Sequence, residues 1–318
     1  MRLSTVILPV FPWAEGRDVW RRAEQLGFHA AYTYDHLSWT SFRDRPWFGA
    51  VPTLAAAAAV TRRLRIGTLV TSPNFRHPVT LAKDLMSIDD LSAGRLVVGV
   101  GSGGTGFDAT VLGGPPWTPR ERADRFGEFV PMLDRLLRHP ATTEQGRYYS
   151  AVEARMIPGC VQRPRPPLLV GASGPRSYRL AAQYGEGWVT FGDPGRTGAA
   201  SGATDRLAVR SQLEGLRLAC ADRGRSFDTI GRVLLQSPGG DRPLASLDAF
   251  VDWAGSYRSL GITELVVHWP IPDSVFAGDQ GVFERIATDG LAQLGPSPSI
   301  RAQDGLTDPG GETGTPGS

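Results

Sequence analysis

The stretch LRIGTLVTSPNFRHPVTLAKDLMSIDDLSAGRLVVGVGSG (64–103) carries the pattern that decides the fold. It begins with the apolar run LRIGTLVTS and ends with a second apolar run, RLVVGVGSG. Between the two runs, Leu81, Leu85 and Ile88 repeat at the i, i+4, i+7 spacing of a helix. The stretch therefore predicts a strand, a helix and a second strand of a parallel sheet.

The same unit recurs along the chain. Further apolar runs separated by helical segments lie at 3–9, 28–36, 167–173, 186–192, 229–237 and 262–270. Eight alternating β/α units over about 290 residues favour an α/β fold of the (β/α)8 TIM-barrel type, with insertion loops at the C-terminal face. An open doubly wound sheet stays the alternative, because almost fully apolar strands suit both architectures.

Two polar segments stand outside this pattern. Residues 1–295 are predicted to form one barrel domain, whereas the Gly-, Pro- and Ser-rich segment 296–318 predicts a disordered tail. The loop GDPGRTGAASGATD (192–205) follows a strand, where barrel enzymes carry lids. A lid and a flexible loop without function are both compatible with its composition.

Composition excludes several function classes. A formal net charge of +2 is not that of a dedicated nucleic-acid binder. The longest apolar stretch, VPTLAAAAAV, is too short to span a bilayer, and no signal peptide precedes the first strand. Cys160 and Cys220 form no CxxC motif and suit a reduced compartment. We expect a soluble cytoplasmic protein with neither nucleic acid nor membrane as partner.

Metal and lysine chemistry find no support in the motifs. The chain has no HExxH and no close His, Asp and Glu cluster, so no metal is expected. Its single lysine, Lys83, lies inside a predicted helix, which argues against a Schiff base. The missing ligands and nucleophiles exclude a metal- or lysine-dependent barrel hydrolase or aldolase.

Candidate site residues follow the predicted strands, because barrel enzymes carry their sites at the C-terminal strand ends. The second strand runs into Asp35 and His36, with Trp39 close behind, and the last strand ends at His268 and Trp269. These tryptophans predict aromatic walls of a substrate pocket. His77, at a third strand end, precedes Pro78 and is equally explained as a helix cap.

The segment Ser173-Gly174-Pro175-Arg176 predicts a helix start that suits an anion. Ser173 or Gly174 can cap the helix, and Pro175 fits its first position. The free N–H groups, the positive end of the dipole and Arg176 then favour a phosphate, although an ordinary capped helix has the same sequence. GSGGTG (101–106) allows close backbone approach to a flat ligand but lacks the GK[ST] of a P-loop.

Three ordered motifs resemble one family, the luciferase-like monooxygenases, which are flavin- or deazaflavin-dependent oxidoreductases on a (β/α)8 barrel. They are YDH (34–36), GTLVTSPNFRHPVTLAKDLMSIDDLSAGRLVVGVGSG (67–103) and QRPRPPLLVGASGPRSYRLAAQYGEGWVT (162–190). The resemblance covers residues 3–294.

The resemblance implies a cofactor lying across the barrel mouth, and it assigns residues to that cofactor. One face of the ring would rest on the end of the third strand, where the family often has a bulge with a non-proline cis peptide. The implied cofactor-binding residues are Leu69, Val70, Thr71, Gly101, Ser102, Gly103, Ser173, Gly174 and Arg176. His36 matches the family's active-site histidine, with Asp35 beside it as a second catalytic residue and Trp39 as a wall.

The resemblance leaves the cofactor open between reduced FMN and the deazaflavin F420. Reduced FMN reacts with O2 and implies monooxygenation, whereas F420 carries hydride and implies dehydrogenation or reduction. Either reaction would act on a small organic substrate, and a separate flavin or F420 reductase is a possible partner. A non-catalytic flavin-binding barrel is the alternative function. Because the family is often dimeric, a homodimer is expected.

Overall fold

The computed structural model describes residues 1–193, 202–237 and 241–294. Within these ranges the strands are β1 (Arg2–Val6), β2 (Ala30–Thr33), β3 (Arg65–Thr71), β4 (Leu96–Val100), β5 (Ala141–Gln145), β6 (Ser150–Arg155), β7 (Leu168–Gly171), β8 (Gly187–Thr190), β9 (Gly231–Leu235) and β10 (Glu264–His268). The helices are α1 (Trp13–Gln25), α2 (Ala50–Val60), α3 (Pro78–Leu91), α4 (Pro119–Arg138), α5 (Pro175–Tyr184), α6 (Gly202–Ala221), α7 (Leu247–Ser259) and α8 (Gln280–Asp289).

The parallel strands close into a barrel in the order β1, β2, β3, β4, β7, β8, β9, β10. β1 closes the ring, because Val6 pairs with Tyr32 of β2 on one side and with His268 of β10 on the other. Closure confirms the (β/α)8 prediction and excludes the open sheet. The loop 192–205 (in its central part) and the tail 296–318 lie outside the described residues.

Two apolar layers hold the barrel together. The interior is filled by inward-facing side chains, among them Val6, Tyr32, Leu69, Val97, Leu169, Val233 and Val266. A larger outer layer packs the strands against the helices, and it includes Trp20, Leu54, Leu85, Phe129, Trp188 and Phe250. Neighbouring residues of one strand therefore serve different layers, which explains why whole strands are apolar.

Two local elements differ from the sequence-based expectation. α1 begins at Trp13 rather than Val19, because its first turn (13–15) is exposed and shows no apolar spacing. The antiparallel hairpin of β5 and β6 was not predicted, since its strands are largely polar and exposed. The Glu128 carboxylate accepts backbone N–H groups of 147–149 and so ties the hairpin turn to α4.

No helix in the described ranges is both long enough and apolar enough to cross a membrane.

Candidate active site

The C-terminal ends of the barrel strands form one rim, which we call the mouth. His36 lies there, three residues past the end of β2. Its Nδ1 forms a short hydrogen bond with Oδ2 of Asp108, a side chain that is 3% exposed. The other Asp108 oxygen accepts the backbone N–H of Leu37 at 2.7 Å, and Trp47 Nε1 donates to the His36 carbonyl at 2.7 Å. The imidazole is therefore held from its Nδ1 side.

The opposite nitrogen of His36 is available for chemistry. Nε2 has no hydrogen-bond partner among the described residues, and 32% of the side chain is exposed. In the tautomer in which Asp108 Oδ2 accepts the Nδ1 proton, the lone pair lies on Nε2. This arrangement suits a general base that takes a proton from a bound molecule.

Asp35 was predicted to be a catalytic residue, but its carboxylate is buried and already hydrogen-bonded. Its side chain is 2% exposed, and Arg76 donates to both of its oxygens, at 2.7 and 3.0 Å. Thr71 Oγ1 donates to Oδ2 at 2.6 Å. A bidentate arginine pair of this kind fixes geometry. Asp35 thus joins the segment carrying His36 to the end of β3.

The end of β3 has the irregular backbone that the resemblance implies. The register with β4 shifts between Thr68 and Thr71, and the peptide bond between Leu69 and Val70 is cis. Both expectations are confirmed. Leu69 is buried inside the barrel, and Val70 is half-buried.

After β4, the backbone packs closely against Val70 and Asn74, which requires glycines there. A Cβ on Gly101 would lie 2.6 Å from Val70 Cγ2, and Gly103 has a φ of +74°. A side chain on Gly103 would also collide with Asn74 Oδ1, which is buried without a partner among the described residues. Ser102, between them, is half-buried. This segment presents backbone to the mouth, as expected for close approach to a flat ligand.

The start of α5 has the predicted cap geometry. Gly174 is the N-cap residue and Pro175 the first helical residue. The first helical hydrogen bond runs from Tyr178 N to Gly174 O, so the N–H groups of Arg176 and Ser177 have no acceptor within the helix. Ser173 is exposed at the loop leading into this helix start.

Arg176 is already engaged beside that helix start. Its Nη1 donates to Asp124 Oδ1 of α4 at 2.6 Å, with 56% of the Arg176 side chain exposed. The start of α5 therefore carries less net positive charge than its sequence indicates.

Opposite this polar region, aromatic rings stack against one another. We call Tyr34, Trp39, Phe42, Phe276 and His268 the aromatic wall. Phe276 stacks on His268 with centroids 4.1 Å apart and on Trp39 with centroids 5.5 Å apart. Tyr34 lies 5.9 Å from the His36 ring, so the wall adjoins the candidate base.

Trp269 does not belong to this wall, which corrects the prediction that it lines the substrate pocket. It is 5% exposed and packs in the outer layer against Phe283 of α8, with centroids 5.0 Å apart. The alternation along β10 explains the error, since His268 points inward and its neighbour outward. His77 caps α3, with its Nδ1 accepting Val79 N–H at 3.2 Å.

His268 is a buried, neutral member of the wall. Its Nε2 lies 2.8 Å from the Tyr34 hydroxyl, and Nδ1 is buried with no partner among the described residues. Burial lowers the pKa of His268 to about 3. Burial also raises the pKa of Tyr34.

Asp108, Arg76 and Phe276 were missed by sequence reasoning. Asp108 lies 72 positions from His36 and Arg76 lies 41 from Asp35, so no local spacing connects either pair. A lone acidic residue in the glycine-rich loop after β4 was the one available signal for Asp108. Phe276 follows the last strand in a loop with no recognisable motif.

The residues at the mouth fit a flat cofactor with a phosphate. Gly101 and Gly103 bring bare backbone to the mouth, because Val70 and Asn74 already occupy the place of a Cβ, and the unpartnered Asn74 Oδ1 offers one acceptor there. The uncapped N–H groups at the start of α5 suit a phosphate. Within the described residues, no cluster of three or more His, Cys, Asp or Glu could hold a metal ion.

Comparisons with known proteins agree with this geometry. The model of the luciferase-like monooxygenase family matches residues 1–228. An F420-dependent glucose-6-phosphate dehydrogenase from Beutenbergia cavernae is 37% identical over 185 residues, which are 55% of this chain and 51% of that protein. The chain thus spans about half the length of that relative.

A second relative has a different named activity. The 4-hydroxyprotoasukamycin monooxygenase of Streptomyces nodosus subsp. asukaensis is 31% identical over 264 residues, covering 79% of this chain and 68% of that protein. Among solved structures, monooxygenase RslO1 from Streptomyces bottropensis superposes with a TM-score of 0.72 at 23% identity, over 92% of this chain and 99% of that one. The structural likeness concerns the fold alone.

Proposed function

This chain belongs to the luciferase-like monooxygenase family, and on that premise we propose that it is an F420-dependent oxidoreductase acting on a small organic alcohol or ketone. The observation that carries the proposal is His36, whose Nδ1 is held by Asp108 while Nε2 stays free among the described residues. Oxidation of an alcohol needs a base for the hydroxyl proton, and Nε2 is placed to be that base. The F420-dependent relative from Beutenbergia cavernae supports the cofactor.

The reaction divides between cofactor and protein. Bound F420 supplies hydride acceptance and donation. With the bound cofactor as hydride acceptor, His36 Nε2 would take the hydroxyl proton of the alcohol, and the substrate would leave as a ketone. Asp108 stabilises the imidazolium that results. In the reductive direction His36 returns the proton to the oxygen.

The glycine-lined half of the mouth would hold the cofactor; it comprises Gly101, Ser102, Gly103, Gly171, Ser173 and Gly174. Leu69, Val70 and Thr71 would support the ring, and Arg176 with the start of α5 would take the phosphate. Asp35 is assigned a positioning role through Arg76, because its oxygens are already occupied. Trp39 would be a substrate wall beside Tyr34, whose ring also lies next to that of His36.

FMN-dependent monooxygenation is the second candidate. It is favoured by the monooxygenase relative, which aligns over 79% of this chain. His36 would then serve as an acid or base toward the hydroxylated substrate, and a separate reductase would supply reduced flavin. A non-catalytic flavin-binding barrel is not favoured, because the His36–Asp108 pair is intact.

Cellular and quaternary expectations remain proposals. We propose a cytoplasmic homodimer in which residues 1–295 form a single barrel domain. α2 supports the dimer, because its surface is apolar yet not covered: Pro52 and Ala59 are exposed, and Ala55 and Ala56 half-buried.

The deciding experiment is an equilibrium titration of the apoprotein with F420 and, separately, with oxidised and reduced FMN, followed by cofactor fluorescence or absorbance. Preferential F420 binding, with F420 reduction by an added alcohol, is the expected result. Preferential binding of reduced FMN, together with O2 consumption, would favour FMN-dependent monooxygenation over the F420-dependent reaction. If neither cofactor binds, both candidates fail.

A further inference from the structure

The aromatic wall adjoins the position where a substrate would react. Its Tyr34 ring lies 5.9 Å from the ring of His36 and 5.7 Å from that of Trp39. Trp39 is half-buried, whereas Phe276, stacked on it, is 7% exposed. A molecule whose reacting carbon approaches His36 therefore meets the indole of Trp39, backed by Phe276.

The wall offers little to a polar ligand. The Tyr34 hydroxyl is already engaged with His268 Nε2 at 2.8 Å. His268 Nδ1 is the wall's buried nitrogen without a partner in the described ranges, and the ring is neutral because burial lowers its pKa to about 3. Two neutral hydrogen-bonding groups without a partner in the described ranges thus stand among the rings, His268 Nδ1 and the indole N–H of Trp39.

Two cations occur in the segment that carries the wall. Arg45 donates to the Asp273 carbonyl at 2.8 Å and lies over the Phe42 ring, with its guanidinium carbon 5.0 Å from the centroid. Arg43 lies over Phe107, 4.3 Å from that centroid. Each guanidinium already has an aromatic partner. A phosphorylated substrate that bound against the wall would meet these two cations, so a sugar phosphate is the probe whose tight binding would contradict the inference.

We infer that the substrate is a largely apolar, ring-bearing alcohol or ketone with one reacting oxygen, and not a polyhydroxylated sugar phosphate. This inference rests on the proposed oxidoreductase function. Several hydroxyls and a phosphate would lose their water against the wall and find two neutral hydrogen-bonding groups and no charge there. An aryl or alicyclic ring instead gains contact with Trp39 while its single oxygen reaches His36. The glucose-6-phosphate dehydrogenase relative is thus expected to differ from this chain in substrate.

The test compares two probes on the F420-loaded protein. Acetophenone cannot reduce oxidised F420, so calorimetry measures its binding without turnover, and 1-phenylethanol tests the reaction through loss of F420 absorbance. Glucose-6-phosphate is measured in the same two ways. We expect acetophenone to bind at least tenfold more tightly than glucose-6-phosphate. We also expect 1-phenylethanol to reduce F420 and glucose-6-phosphate not to reduce it. Tighter binding or faster turnover of the sugar phosphate, or binding of neither probe, overturns the inference.

Variants locate the contact. Trp39→Ala is expected to weaken acetophenone binding about tenfold, and Trp39→Phe to restore most of it. Trp13→Ala, at a 40% exposed tryptophan on α1, is the matched control and should leave the affinity unchanged. Phe276→Leu tests the backing ring without emptying its space. Unaltered acetophenone binding in both Trp39→Ala and Phe276→Leu contradicts the assignment of the wall.

The design separates this inference from the proposed function. Failure of F420 to bind in the preceding titration defeats the F420 assignment by itself. The acetophenone and glucose-6-phosphate affinities are then compared on the FMN-loaded protein or, if FMN also fails, on the chain alone. The same tenfold ratio decides the substrate class in each case.

Discussion

The glycine-lined half of the mouth and the aromatic wall are built in opposite ways. Gly101 and Gly103 present bare backbone, packed against Val70 and Asn74, and the start of α5 adds uncapped N–H groups. The wall instead fills its space with stacked rings, the shortest separation being 4.1 Å between His268 and Phe276. A half that offers N–H groups and bare backbone suits a flat, charged cofactor, whereas a half of rings suits an apolar substrate.

His36 contacts residues of both halves. Asp108, from the loop after β4, holds one nitrogen of the ring, and Tyr34 of the aromatic wall lies 5.9 Å from it. A cofactor bound in one half and a substrate bound in the other would therefore both be held next to the His36 imidazole. Substitutions in the glycine-lined half should therefore change the affinity for the cofactor and not that for the substrate, and substitutions in the aromatic wall should do the reverse.

The largest expected effect is at the base itself. His36→Ala should lower kcat by about 10²- to 10⁴-fold, because the hydroxyl proton loses its acceptor, while F420 affinity stays nearly unchanged. Steady-state F420 reduction by 1-phenylethanol gives kcat, and fluorescence titration gives the affinity. His139→Ala, at an exposed histidine after α4, is the control. If the variant lost F420 binding but kept its turnover per bound cofactor, His36 would be a cofactor-binding residue and not the base.

Asp108→Asn should have the next largest effect. It keeps an oxygen for the Leu37 N–H, yet it removes the charge that fixes the Nδ1 proton of His36. We expect kcat to fall about 10- to 100-fold, as for other residues that orient a reacting imidazole. The melting temperature, measured beside kcat, distinguishes lost orientation from lost folding. Asp44→Asn, at an exposed carboxylate a few residues after His36, is the control and should change neither kcat nor the melting temperature.

Local signals predicted most of the cofactor half, whereas of the aromatic wall they indicated only Trp39 and His268. The GSG after β4 and the Ser-Gly-Pro-Arg before α5 are contiguous, so turn and cap chemistry indicated them from the sequence. The aromatic wall assembles from two segments far apart in sequence, 34–42 and 268–276, and its contact between Trp39 and Phe276 exists only after the barrel closes. Strand alternation was also unreadable in fully apolar runs, which is why Trp269 was assigned to the mouth and lies outside it.

The aromatic wall should make stability sensitive to acid. The folded pKa of His268 is about 3, whereas an unfolded imidazole has a pKa of about 6.5. Its contribution is therefore complete above pH 6.5 and is lost as pH falls toward 3, because only the unfolded chain takes up the proton. At pH 5 this loss is about 2 kcal/mol. Denaturant unfolding at pH 7 and pH 5 should show that loss in the parent and not in His268→Gln.

The control for that experiment is His139→Gln, since this exposed histidine should leave the acid slope of the parent in place. An equal fall in unfolding free energy in the parent and in His268→Gln would mean that His268 is protonated in the folded state. The wall would then carry a charge, and its suitability for an apolar substrate would be weakened.

The smallest effect is expected at Arg176, in the cofactor half. Its guanidinium is 56% exposed and already paired with Asp124 at 2.6 Å, so solvent and the carboxylate both reduce what it offers a phosphate. We expect Arg176→Ala to weaken F420 binding about three- to tenfold without unfolding the protein, and less so as salt is added. Arg179→Ala, exposed on the same helix but one turn further along, is the matched control. An unchanged affinity in Arg176→Ala would remove this arginine from the phosphate site and leave the backbone N–H groups of α5 to bind the anion alone, whereas weaker acetophenone binding in the same variant would show that the two halves are coupled.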